Sequence, residues 1–374
     1  MNASVKLPLY AKIALILIGL YLLMDICYLG QQIILPFMYA ALFSILVSPL
    51  ISFLERRKIK RIIAISIAML LAMIVTIALF YLITSQLSIF EKSMPAMRQK
   101  SDELMVQGSS WVSSKFNIGQ DKINAWIIKS KASLIDNGSA IIGKTLISLS
   151  GLLIVVFLIP VYTFMMLYYQ PLLLEFLRKL FAKAHQQKLE EVLLLTKKII
   201  QSYLTGLLIE AVIVGALNST ALLLIGINYA ILLGIIGALL NVIPFIGGII
   251  SVALPMAVAL FTKSPSYMLV VLIAYVLIQF FDNHYITPKI VASKVKINAL
   301  IAIAVVLIGN ALWGIPGMFL SIPLTAIVKV IFEHIEPLKA WAFLLGDDMP
   351  RTSKLVFNMP KRKPKKIVSD LSSH

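Results

Sequence analysis

Between residues 229 and 330 the sequence is apolar enough for a membrane interior, yet it is interrupted three times. Asn241-Val242-Ile243-Pro244-Phe245-Ile246-Gly247-Gly248 breaks it first. Phe281-Asp282-Asn283-His284 through Thr287-Pro288-Lys289 breaks it again, and Gly309-Asn310-Ala311-Leu312-Trp313-Gly314-Ile315-Pro316-Gly317 a third time. In lipid, each backbone group left without a partner costs several kcal/mol, so irregular backbone survives only where protein or a water-filled cavity satisfies it. Breaks of this kind point to a binding site or pathway near the middle of the membrane. The competing reading is a set of kinks or short loops between ordinary spans.

Composition fixes the class. The chain has 374 residues, 60% hydrophobic and 14% charged, with mean hydropathy +0.93. A soluble domain of this size needs far more charge to cover its surface. The sequence therefore predicts an all-α polytopic integral membrane protein. About eight transmembrane helical units are expected, with broken or re-entrant helices in the C-terminal third. The single cysteine, Cys27, excludes an internal disulfide and reads as an inert packing residue. The net charge of +17 is concentrated in a short loop (Arg56, Arg57, Lys58, Lys60, Arg61) and in the tail (Lys361, Arg362, Lys363, Lys365, Lys366). Short basic loops mark the cytoplasmic face and can touch anionic membrane lipids. No nucleic-acid partner is expected.

Spans are expected near residues 9–29, 33–54, 62–83, 146–168 and 204–225, each about the 20 residues that a hydrocarbon core needs. The basic loop after the second span places both termini in the cytoplasm. The chain divides into helices one to three (1–84), an extracytoplasmic amphipathic segment (85–144), and span four with a cytoplasmic amphipathic helix (145–203). A region with broken helices (204–346) and a basic cytoplasmic tail (347–374) follow. Residues 85–144 carry Leu104, Trp111, Phe116, Ile123, Trp126 and Ile127 among charges, a pattern suited to helices lying on the outer membrane surface. Residues 229–261 are expected to form a helical hairpin broken at its middle.

Motifs for enzyme chemistry are weak. Gly138-Ser139-Ala140-Ile141-Ile142-Gly143-Lys144-Thr145 fits the P-loop pattern, but no strand precedes it and no acidic magnesium partner follows. No nucleotide, no cofactor, no metal and no catalytic residue are expected. Glu333, His334 and Glu336 read as a solvated helix end.

Polar residues within the spans are more informative. Glu210 stands in Leu207-Leu208-Ile209-Glu210-Ala211-Val212, where a charged carboxylate costs roughly 2.5–3.5 kcal/mol on insertion scales. It reads either as a carboxyl that exchanges a proton or cation, or as a packing hydrogen bond to a neighbouring helix. Asp282, grouped with Asn283 and His284, could coordinate substrate or cap the next helical turn. Asn241 and Asn310 each stand beside a glycine-proline break, where a carboxamide can bond freed backbone or a ligand. Gly247, Gly248, Gly314 and Gly317 allow close backbone approach, to a helix or to a substrate. Asp25 sits near the outer end of span one and reads as snorkelling to water.

These residues also carry a resemblance. Asn241 to Gly248 is similar to the N-[LV]-I-P-[YF]-[IV]-G signature of the AI-2E family of transporters, also called PerM-type permeases. The similarity continues through Asp282-Asn283 with Thr287-Pro288-Lys289-Ile290-Val291, and ends in Gly309 to Gly317 with Ile322-Pro323-Leu324. The apolar layout covers nearly the whole chain, while the specific motifs cover its last third. The resemblance implies a bacterial inner-membrane exporter of small molecules, associated with the quorum signal autoinducer-2 or with sodium or lithium exchange for protons. It also implies a homo-oligomer, such as a pentamer, whose C-terminal part moves against an N-terminal scaffold. Many members carry Glu or Gln with Asn where this chain has Asp282-Asn283-His284, so ion specificity does not carry over.

The resulting expectation is a secondary transporter. Glu210 and Asp282 would couple transport to an ion or proton. Asn241, Pro244, Gly247, Gly248, Asn283, Pro288, Asn310, Gly314 and Pro316 would contact the substrate. A passive channel or a membrane scaffold is the alternative.

Overall fold

Long apolar runs with few glycine-proline pairs form helices because only intra-segment hydrogen bonding satisfies the backbone in lipid. The computed structural model describes residues 8–116, 157–243 and 246–348. Residues 146–156 of the expected fourth span, the P-loop-like stretch and the basic tail from residue 349 lie outside them.

Helix α1 (Leu9–Leu29) turns at Gly30 into α2 (Gln31–Arg56), and α2 ends in the basic loop before α3 (Arg61–Phe116). Residues 117–144 of the expected amphipathic segment lie outside the described residues. Residues 85–116 form no separate surface helix; they continue the third span as one rod of 56 residues, about 84 Å at 1.5 Å per residue. The change in composition marks where helix-forming residues cease to suit lipid, and helical propensity does not end there. Hydroxyls bond back to the preceding turn (Thr84 to Phe80, 3.0 Å), and Lys100 pairs with Glu103 at 2.9 Å.

Helix α4 (Phe157–Tyr168) bends by 63° into α5 (Gln170–Leu180). Arg61 fixes this corner to the basic loop, donating to the Leu167 carbonyl (3.1 Å) and to Gln170 Oε1 (2.8 Å). Helix α6 (Gln186–Ile225) then runs 40 residues from charged segment to apolar span, and Gly226 caps it with φ 78°.

Helices α7 (Ala230–Asn241) and α8 (Ile246–Thr262) form a hairpin. Antiparallel packing of α7 on α6 is fixed by Gly215 against Ala238 and by Gly234 against Ser219. Lys263, just past α8, comes back beside Gly226. The hairpin therefore enters from the face opposite the basic loop and returns to it, as expected for residues 229–261.

Helix α9 (Pro265–Phe281) descends from that opposite face. The second sequence break is not a break in the helix. Two π-helical stretches, Asp282–Ile286 and Pro288–Ala292, carry it on to α10 (Ser293–Val295). Pro288 supplies no N–H and its ring excludes an α turn onto residue 284, so the ladder widens instead.

Helix α11 (Ala299–Glu333) folds back on itself at Gly314 (φ 63°, ψ −143°), bringing Gly317 onto Gly309. Its two ends lie together on the basic face. Asn298 donates to the Leu344 and Gly346 carbonyls at the end of α12 (Lys339–Leu345), and His334 lies 3.8 Å from Glu191 of α6. This second hairpin enters from the side opposite to the first.

Among the described residues six helices are long and apolar enough to cross a membrane, and α4 with α5 brings the number to as many as seven. The α7–α8 hairpin adds a further apolar unit, so about eight is a fair description. The chain is a multi-pass membrane protein. Large apolar side chains cover its outside, among them Leu224, Leu9 and Phe80, while the interior is packed around α6.

Candidate functional site

Glu210 lies on α6 with its side chain buried. One turn before it, Gly206 offers no Cβ, and the Ile290 carbonyl of the second π stretch occupies that space. This close approach sets the widened helix against Glu210. The Thr287 hydroxyl then stands 2.9 Å from Glu210 Oε1 and 3.3 Å from Asp282 Oδ1. Asp282, only 1% exposed, receives its other hydrogen bond from Asn241 Nδ2 at 2.8 Å. Gln279 donates to Asn241 Oδ1 (3.5 Å) and to Asn283 Oδ1 (3.3 Å).

The result is a chain of polar side chains joining three elements: α6, the tip of the first hairpin, and the π-widened α9. Its proton count is short. Thr287 has one hydroxyl hydrogen and faces two carboxyl oxygens, so it can donate to only one at a time. No lysine, arginine or histidine forms an ion pair with either carboxyl among the described residues. Two buried carboxylates this close, without a counter-charge among the described residues, repel strongly at low dielectric. A bound proton or cation removes that repulsion, which is what the arrangement can do chemically.

The expected site residues separate into two groups. Glu210, Asp282, Asn241 and Asn283 are brought together. Gly247 sits at the same tip, where the Leu240 backbone leaves no room for a Cβ, and Gly248 faces Gln279. Pro288 is exposed but shapes the π stretch that presents Thr287. Pro244 lies outside the described residues. His284 leaves the expected cluster, stacking on Phe280 with ring centroids 4.3 Å apart and bonding to the Phe280 carbonyl. Asp282 caps no helix, since the helix runs through it.

The second group stands apart. Asn310 is exposed on the first arm of α11, and Gly314 forms the fold-back. Trp313 Nε1 donates to the Cys27 carbonyl at 3.0 Å, and the Tyr39 hydroxyl to the Pro316 carbonyl at 3.1 Å. The second tip is thus held by α1 and α2. Helix α6 packs against both hairpins, which have at most marginal contact with each other. Among the described residues both contribute to one apolar cluster, Val242 and Ile243 from the first and Val306 and Met318 from the second.

Sequence reading missed Thr287 and Gln279 as site residues. In an α-helix, residues five apart lie on different faces, so Asp282 and Thr287 converge only because the helix is π-wound. The proline after Thr287 was the available signal.

Known proteins place the geometry in context. The chain is 24% identical to the AI-2 transport protein TqsA of Escherichia coli (strain K12) over 326 residues, covering 85% of this chain and 90% of that protein. It is 33% identical to YrrI of Bacillus subtilis (strain 168) over 132 residues, 35% of this chain and 37% of YrrI. PerM of Escherichia coli (strain K12) is 25% identical over 219 residues, 56% of this chain and 61% of that protein. The chain thus matches little more than a third of YrrI, but nearly all of TqsA. A family model described as AI-2E family transporter matches residues 11–336. That interval runs from the first turn of α1 to the turn after α11 and contains every residue of the polar chain, so this protein belongs to the AI-2E family of transporters.

Proposed function

We propose that the protein is a secondary transporter that exports a small molecule, and that Glu210 and Asp282 couple export to proton or cation movement. One observation carries this reading: two buried carboxyls share one hydroxyl, without a counter-charge among the described residues, at the tip of a hairpin that dips into the membrane. Insertion of such groups is costly, and in membrane proteins they mark ion and proton pathways. Asn241, Asn283, Gly247, Gly248 and the neighbouring Pro244 and Pro288 contribute the adjoining substrate surface. The hairpin held by Trp313 and Tyr39, with Asn310, Gly314 and Pro316, links that surface to α1 and α2. An autoinducer-2-like compound is the first cargo to test, on the strength of the similarity to TqsA.

The basic loop, α5 and the start of α6 lie on the cytoplasmic face of a bacterial inner membrane by the positive-inside rule, with both termini on that side. The exposed apolar surface of α1, which buries none of its residues, serves a homo-oligomeric contact. The carboxyl pair also supports a second reading, exchange of Na+ or Li+ for protons, in which the ion is itself the cargo.

Proteoliposomes distinguish these. Autoinducer-2 efflux, and separately Na+-driven pH change, are measured for the native chain and for Glu210→Gln. The variant is expected to lose the ion dependence of flux by at least tenfold. Unchanged proton or cation dependence removes Glu210 from the mechanism.

A further inference from the structure

Above the carboxyls, toward the Gly226 face, a second polar layer lies inside the bundle. Asn218 stands eight residues beyond Glu210 on α6, about 12 Å further along the helix. It is 2% exposed, and its Oδ1 has no hydrogen-bond partner among the described residues. Tyr275, on α9, is equally buried, and its hydroxyl also has none. Gly237 of α7 marks the convergence: a Cβ there would lie 3.4 Å from Asn218 Nδ2 and 3.5 Å from Ser251 Cβ of α8. Ser251 is buried and its hydroxyl donates to the Gly248 carbonyl at 2.8 Å, so toward other groups it can only accept.

This layer continues the polar chain. Tyr275 is one turn from Gln279 on the same face of α9, and Gln279 already bonds Asn241 and packs beside Gly248. Beyond the layer, toward the Gly226 face, Leu222, Ile227, Val258, Ala259 and Val271 form an apolar plug. Two buried polar atoms without partners are costly in a dry interior, and their usual partner is ordered water with two to four polar contacts.

We propose that Asn218, Ser251 and Tyr275 form a water-holding station on the route between the Gly226 face and the carboxyl pair. The station is closed by the apolar plug in the conformation described. Its place on a route rests on the reading of Glu210 and Asp282 as the coupling site. Its occupancy by water does not.

The single native cysteine makes the test clean. In a Cys27→Ser background, which leaves the carbonyl that Trp313 uses, Ser251→Cys and Asn218→Cys are placed at the station. Val212→Cys, 72% exposed on the outer surface of α6, serves as the lipid-facing control. A small, cationic, membrane-impermeant methanethiosulfonate is applied to the Gly226 face in liposomes, and only variants eluting as the native chain does are compared. With an ion gradient and substrate driving turnover, which opens the plug, station cysteines are expected to react at least tenfold faster than the control; rates equal to the control overturn the proposal. Tyr275→Phe gives an independent reading. Loss of a water-bonded hydroxyl lowers the melting temperature, whereas an unchanged or raised melting temperature means the hydroxyl was dry and equally overturns it. Labelling that persists while Glu210→Gln keeps normal coupling would leave the station standing and remove the coupling site.

Discussion

The two hairpins enter the bundle from opposite faces, and their tips are built on different chemistry. At the α7–α8 tip, a side chain does the bonding: Asn241 reaches Asp282, and through it Thr287 and Glu210. At the α11 tip the bonded groups are carbonyls of the main chain, with Trp313 and Tyr39 tying α11 to the N-terminal helices. A tip held through titratable side chains responds to protons and cations. A tip held through backbone carbonyls is a mechanical joint, indifferent to pH. The family's two glycine-proline breaks look alike in sequence, but only one lies on the polar chain.

The most forceful way to break this comparison is to remove the carboxamide from each hairpin. Asn241→Leu strips Asp282 of a hydrogen bond and leaves a buried group unsatisfied, at about 1–3 kcal/mol. Transport in proteoliposomes should fall at least tenfold. Asn310→Leu, at an exposed position, should stay within about twofold of the native rate. Equal losses would erase the distinction between the tips.

A narrower test addresses the hydroxyl. Thr287→Val removes the donor shared by the carboxyls, and several-fold loss of proton-dependent flux is expected. Thr287→Ser, which keeps the hydroxyl, should restore most of it. Equal defects in both would mean that the methyl group matters and the hydrogen bond does not. The smallest effect concerns the joint. Gly314→Ala meets no neighbour within 4 Å, so its penalty is backbone strain alone, about 1–3 kcal/mol. The expected result is a lower melting temperature with the ion dependence of transport preserved. A shift in ion dependence would show that the two tips communicate.

Much of this molecule was legible in the sequence. The first span, expected over 9–29, is Leu9–Leu29, because an uninterrupted apolar run near 20 residues has one stable form in lipid. Glu210 stood out by the cost of burying charge, and Asp282 as part of a polar cluster just before Pro288. What escaped was whatever depended on helix winding or on length beyond the membrane. Thr287 is invisible to a period of 3.6, since it meets Asp282 only across a π turn. The continuation of α3 past residue 85 escaped because polarity reports on the solvent around a helix, while its continuation is decided by backbone propensity. Asn218 and Tyr275 drew no attention because a single polar side chain within an apolar run gives no sign of whether a partner stands opposite it.

The bond from Trp313 to the Cys27 carbonyl has a practical consequence. The chain's only thiol, half-buried, sits on the residue whose backbone anchors the α11 tip. A single thiol-reactive fluorophore on the native sequence would therefore sit at the joint. If the C-terminal half swings against α1 during turnover, its emission should change with each cycle, giving a stopwatch for the motion without any engineered residue.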